Sequence, residues 1–195
     1  MPSSLQSLSL DTLGVCGYSF EEHVEMGLLS LVWNFDQIRD LLLPHRFTLR
    51  ELRIRQQGPE QAALDRFDLH NFNELHTLQL CTLGLPSPER ACDLWLTPSL
   101  RQFSLEYSWC DSQNGIKWRL GMRDLAWLKA FAQTAEDRRM SGASGLRTIK
   151  VICDARRNEE FPLLASQSRE IEANCAKMRG IVEACGFEFV WRKEM

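Results

Sequence analysis

The sequence predicts an α/β fold: a solenoid of stacked strand and helix units on a parallel sheet of five to six strands, with helices on the outer side. Three observations carry this. A leucine pattern recurs five times along 195 residues. Segments of helical periodicity lie between its copies, and no linker-like stretch divides the chain. A single domain over residues 1–195 is expected, with insertions at 11–48 and 106–145.

The pattern is L-x-x-L-x-L. It occurs at Leu5, Leu8 and Leu10; at Leu49, Leu52 and Ile54; at Leu75, Leu78 and Leu80; at Leu100, Phe103 and Leu105; and at Leu146, Ile149 and Val151. Two copies extend further, since LQSLSLDTLGV over residues 5–15 matches LHTLQLCTLGL over residues 75–85 at the pattern leucines and at a following Thr, Leu and Gly. The first leucines are 44, 26, 25 and 46 residues apart, so two units have leucine-rich-repeat length and two carry insertions. Alternate side chains of a strand point to opposite faces, so the fourth and sixth pattern positions share the core face. The residues between them line the opposite face. No unit buries its apolar side alone, so neighbours must stack.

Between strands, the chain must return for a parallel connection. The segment at 36–43 places Ile38, Leu41 and Leu42 at helical spacing ahead of Pro44, which marks its stop or kink. Pro86, Pro88 and Pro98 restrict the third return segment to a loop or short helix. A helix is expected over 122–139, with Leu125, Leu128, Phe131 and Ala132 on one face and Glu136, Asp137, Arg138 and Arg139 as a wet end. The next helix carries Ile171, Cys175, Met178 and Val182, and Gly186 serves as its left-handed cap. Phe187, Phe189 and Trp191 then alternate as a closing strand. Turn-rich stretches at 111–115 and 141–145 bracket the insertion of the fourth unit.

These residues resemble the irregular leucine-rich-repeat regions of fungal F-box-type proteins, in which Leu-rich strands alternate with helices of variable length. The resemblance rests on the five strand motifs, on LLPHRFTLREL over residues 42–52 and on GFEFVW over residues 186–191. An F-box precedes the repeats in that group, whereas here the first strand begins at Leu5. The expectation carried over is therefore the substrate-recognition part alone.

Composition excludes several classes. With 23 Lys and Arg against 26 Asp and Glu, the formal charge is -3, and no basic field exists to hold nucleic acid or an anionic membrane. No apolar run approaches the ~20 residues of a membrane span, and no secretory signal is visible. An intracellular setting, cytoplasmic or nuclear, is expected. The seven cysteines have no C-x-x-C pair, and most adjoin apolar residues, so they read as free thiols used as small hydrophobes.

Catalytic and cofactor patterns are lacking. Gly142-Ala143-Ser144-Gly145 lacks the final glycine of a nucleophile elbow and precedes a strand, so it reads as a loop. His23, His45, His70 and His76 form no metal-ligand spacing, and His76 reads as a surface residue beside Thr77. Neither G-x-G-x-x-G nor a G-K-[ST] ending occurs. Arg138-Arg139 and Arg156-Arg157 adjoin acidic residues and read as solvated surface. Among the aromatics, Tyr107 and Trp109 share the core parity of Phe103 and Leu105, which favours packing over a binding role for the cluster they form with Trp118. Trp33, Trp95, Trp127 and Trp191 are likewise expected to pack.

The expected function is a noncatalytic protein-interaction scaffold, the substrate-recognition part of an F-box-like protein, with no cofactor and no metal. Its concave sheet face would bind a protein or peptide through Glu51, Arg53, Arg55, Thr77, Gln79, Gln102, Ser104, Glu106, Thr148 and Lys150. The alternative is a small enzyme, or an accessory protein to one, with a ligand pocket formed by the two insertions. The strand carrying Leu5, Leu8 and Leu10 would leave an edge open to pairing. A second copy, a missing N-terminal segment, or the 11–43 insertion folding back would cover it, and an intermolecular solution is favoured.

Overall fold

A computed structural model describes residues 5–11, 35–55, 61–81, 85–108, 122–154 and 165–194. Six strands form one sheet in chain order: β1 Ser7–Asp11, β2 Glu51–Arg55, β3 Thr77–Cys81, β4 Gln102–Ser108, β5 Thr148–Asp154 and β6 Glu188–Glu194. Every neighbouring pair is parallel. Four α-helices are described: α1 Phe35–Leu42, α2 Pro88–Trp95, α3 Met122–Met140 and α4 Ala165–Ala184. Two 3-10 segments, Leu43–His45 and Gln61–Arg66, complete the connections.

The register follows the leucine pattern. Leu8, Leu52, Leu78, Phe103, Ile149 and Phe189 are successive partners across the sheet, and Leu10, Ile54, Leu80, Leu105, Val151 and Trp191 form the second row. A one-residue slip in any strand would turn its leucines to the other face. The unit boundaries repeat in the backbone as well. The carbonyls of Gln6, Arg50, His76 and Arg101, each the second residue of a motif, accept two consecutive N–H donors from the next motif, at 2.8 to 3.1 Å. The closing strand departs from this, because Arg147 O accepts only Glu188 N while Phe187 N is used by the cap of α4.

All four helices follow the sequence reading closely, with differences in detail. In α1, Ile38 and Leu42 are buried one turn apart, but Leu41 is 49% exposed and does not join the core. The third return segment is a two-turn helix, α2, whose start is set by Ser87 accepting Arg90 N–H and by Pro88 in the first turn. It buries Ala91, Cys92, Leu94 and Trp95. Phe103 of β4 lies 4.8 Å from Phe131 of α3 and 5.7 Å from Trp95, ring centre to ring centre, so sheet and helices share one aromatic contact. Trp127 stacks on Phe131 and donates its indole N–H to Pro86 O at 2.7 Å. Trp191 is half-buried against the same core, while Trp33 lies outside the described residues.

Both long helices end alike. Gly142 N–H donates to Arg139 O and Ala143 N–H to Arg138 O; Gly186 N–H donates to Glu183 O and Phe187 N–H to Val182 O. These paired bonds, with glycine at φ 77° and 72°, form the Schellman cap. The last turn of α3 is not the solvated end expected. Arg138 pairs with Asp93 of α2, and Arg139 is half-buried with its guanidinium 5.0 Å from the centre of the Phe187 ring. Cys92, Cys175 and Cys185 are buried, as expected of small hydrophobes. No helix among the described residues is long and apolar enough to cross a membrane.

Candidate functional site

The helices pack on the leucine face, so the opposite sheet face is where chemistry-bearing side chains gather. Three rows run across it. The first holds Ser7, Glu51, Thr77, Gln102, Thr148 and Glu188; the second holds Ser9, Arg53, Gln79, Ser104, Lys150 and Val190; the third passes through Cys81, Glu106, Ile152 and Arg192. Strands about 4.8 Å apart thus present side chains as a regular grid.

The strand parity placed every candidate binding residue on this face, but exposure is uneven. Arg53 is exposed, whereas Glu51, Thr77, Gln102, Thr148 and Lys150 are half-buried. For Arg55 the backbone position on β2 is described and the side chain is not. Three residues read as solvent-facing are instead buried: Gln79 is 5% exposed, Ser104 0% and Glu106 3%. Part of the reason is local. Ser104 is the shortest side chain at the centre of the grid, flanked across the strands by Gln79 and Lys150 and along its own strand by Gln102 and Glu106. Gln102 Nε2 donates to its hydroxyl at 3.2 Å. Glu106 is held against the sheet by Gln79, whose Nε2 donates to Oε2 at 2.5 Å. A buried carboxylate is costly without such a donor.

At the β2 side, Glu51 takes two bonds from the Arg53 guanidinium, at 2.5 and 2.7 Å, and a third from the Ser7 hydroxyl at 3.3 Å. At the β6 side, Thr148 donates to Glu188 Oε2 at 2.9 Å. The face therefore offers carboxylate, amide, hydroxyl and guanidinium groups in mixed charge. The sequence reading missed Ser7, Ser9, Ile152, Glu188 and Val190. The same parity rule, extended to the first and closing strands, would have found them.

The other candidate groups are dispersed. His70 is exposed and its ring Nδ1 lies 2.5 Å from Asp68 Oδ1, His76 and His45 are half-buried, and His23 lies outside the described residues. Partial burial pushes the Asp68 carboxyl up, but the His70 backbone N–H, the His70 ring and the Arg90 charge outweigh it and hold the pKa below its ordinary value. Ser144 lies in a loop, where its hydroxyl accepts Leu146 N–H. Among the described residues, no three His, Cys, Asp or Glu side chains come together as metal ligands. Tyr107 is on β4 with its side chain undescribed, and Trp109, Trp118 and Arg156-Arg157 lie outside the described residues, as do residues 12–34 and 109–121 of the two insertions from which a pocket was expected.

Comparison of the chain with protein-family models, with curated proteins and with solved structures finds no match.

Proposed function

We propose that this chain is a noncatalytic protein-interaction scaffold of the irregular leucine-rich-repeat kind, and that its grid-like sheet face binds a protein or peptide. The observation that carries the reading is the repeated unit itself: five motifs in register, four of whose boundaries are joined by the same carbonyl accepting two N–H donors. A repeat of this kind presents one rigid, extended face built from many strands. A mixed set of hydrogen-bonding and charged groups held on rigid strands suits the recognition of another polar surface. The resemblance to F-box-type repeat regions adds that the partner is a protein selected for recognition, and the role is that of the receptor part. The edge strand β1 offers a second contact, to another copy of the chain or to an N-terminal partner segment.

Affinity capture from native lysate with the wild type and with an Arg53→Glu, Lys150→Glu double variant tests the face. The reading expects a partner recovered by the wild type, lost by the variant, at a melting temperature that barely changes. Equal recovery by both proteins would move the binding site off this face.

A further inference from the structure

On the opposite side of the molecule, α3 and α4 do not close against each other along their whole length. Between them lies a crevice of about 720 Å³. Its floor is buried: Leu125 is 6% exposed and Cys185 7%. Its walls are small, being Ala126 on α3 and Gly180 and Ala184 on α4, with Ile181 between them. Lys129 and Lys177 stand on its exposed rim, and none of its lining residues is acidic.

Gly180 needs explaining. It sits inside a helix, where glycine is among the poorest formers. Its φ is not positive, so the backbone makes no demand for it. A Cβ there would meet nothing within 4 Å, so packing makes no demand either. What the missing side chain leaves is room in the crevice.

We propose that this crevice binds a single-chain amphipathic carboxylate, its alkyl tail lying over Leu125, Ile181 and Ala184 and its head group between Lys129 and Lys177. Shape favours an alkyl chain over a helix. Packed helices stand about 8–10 Å apart, and an α-helix with its side chains is about 10–12 Å across, so a third helix would ride on the rim without reaching the floor. A chain one methylene wide reaches it. The lined stretch covers about two helical turns, or ~12 Å, enough for a medium-length tail. Charge places the head group. Lys129 and Lys177 are both exposed and are the charged residues among those lining the crevice. An anion gains from both. This inference is independent of the sheet-face reading, because it uses the other side of the fold.

Calorimetric titration of the full chain with octanoate, decanoate, dodecanoate and decan-1-ol tests it. Affinity should rise about fourfold per added methylene until the crevice is filled. Decanoate should bind more tightly than decanol, and a Lys129→Glu, Lys177→Glu variant should weaken decanoate by about fivefold and leave decanol unchanged. Gly180→Leu should abolish binding, or weaken it by about tenfold or more, while the protein stays folded, since leucine is a better helix former. Binding that ignores chain length, or that survives Gly180→Leu, would overturn the proposal. So would light scattering that shows a dimer which Gly180→Leu dissociates and dodecanoate leaves intact, because the crevice would then belong to a second copy.

Discussion

Gln79 on β3 donates its amide proton to Glu106 on β4 at 2.5 Å, and both side chains are buried on the sheet face that faces away from every described helix. The bond is diagonal, since the register pairs Gln79 with Ser104 and Glu106 with Cys81. It ties two units together through side chains where the backbone ladder already ties them through carbonyls. An acidic side chain buried in this position makes the centre of the grid sensitive to any change in its donors.

Gln79→Ala removes a donor from a buried carboxylate and should cost about 1–3 kcal/mol in urea denaturation. Glu106→Ala removes the acceptor itself, so the double variant should lose less than the two single losses added. The coupling should exceed ~0.5 kcal/mol, the margin within which independent sites add. Strict additivity would show that the two residues do not act as a unit.

Asp68 gives a pH signature. Its folded-state pKa lies below the ordinary value of 3.8, so its contribution to stability is complete above that value and is lost as pH falls through the folded value. Its side chain is 47% exposed, so solvent screening keeps the effect small. Asp68→Asn should therefore leave stability at neutral pH nearly unchanged apart from the lost His70 contacts, and should flatten the acid limb below about pH 4. An acid limb of unchanged slope in chemical denaturation would remove Asp68 from the account.

The leucine pattern made the strands legible because each motif carries two inward positions with a fixed spacing, and the parallel register then follows from burying both rows. Helices α3 and α4 were legible from their buried faces and from Gly186. Exposure on the sheet face was not. Parity says which way a side chain points, whereas the burial of Ser104 depends on what surrounds it, including Gln102, whose amide donates to its hydroxyl. Leu41 fails for a related reason: its spacing fits the helix, yet among the described side chains of α1 it is Ile38 and Leu42 that are buried. The crevice beside Gly180 was invisible because a mid-helix glycine reads as noise until its surroundings are known.

Leu78 is the central residue of the first leucine row, fully buried between Leu52 and Phe103. Leu78→Ala should destabilise the protein by about 2–5 kcal/mol, through lost transfer energy and the cavity left behind. Denaturant unfolding that shifts by less than ~0.5 kcal/mol would match a surface position and contradict this placement.

The two helix caps separate conformational strain from side-chain contact. Gly142 and Gly186 have nearly the same backbone, φ 77° and 72°, and the same pair of cap hydrogen bonds. Alanine at either position meets the left-handed penalty, about 1–2 kcal/mol. Their surroundings differ. A Cβ at Gly142 would meet nothing within 4 Å, whereas one at Gly186 would come within 2.8 Å of the Arg139 guanidinium. That guanidinium is held over the Phe187 ring, so yielding to the new methyl group disturbs a cation–π contact worth about 0.5–2 kcal/mol. Gly186→Ala should consequently cost more than Gly142→Ala in thermal or urea unfolding. In an Arg139→Ala background the obstructing group is gone, and the two substitutions should converge on the shared backbone penalty. If the difference persists there, the asymmetry arises from the helix ends themselves and Arg139 has no part in it.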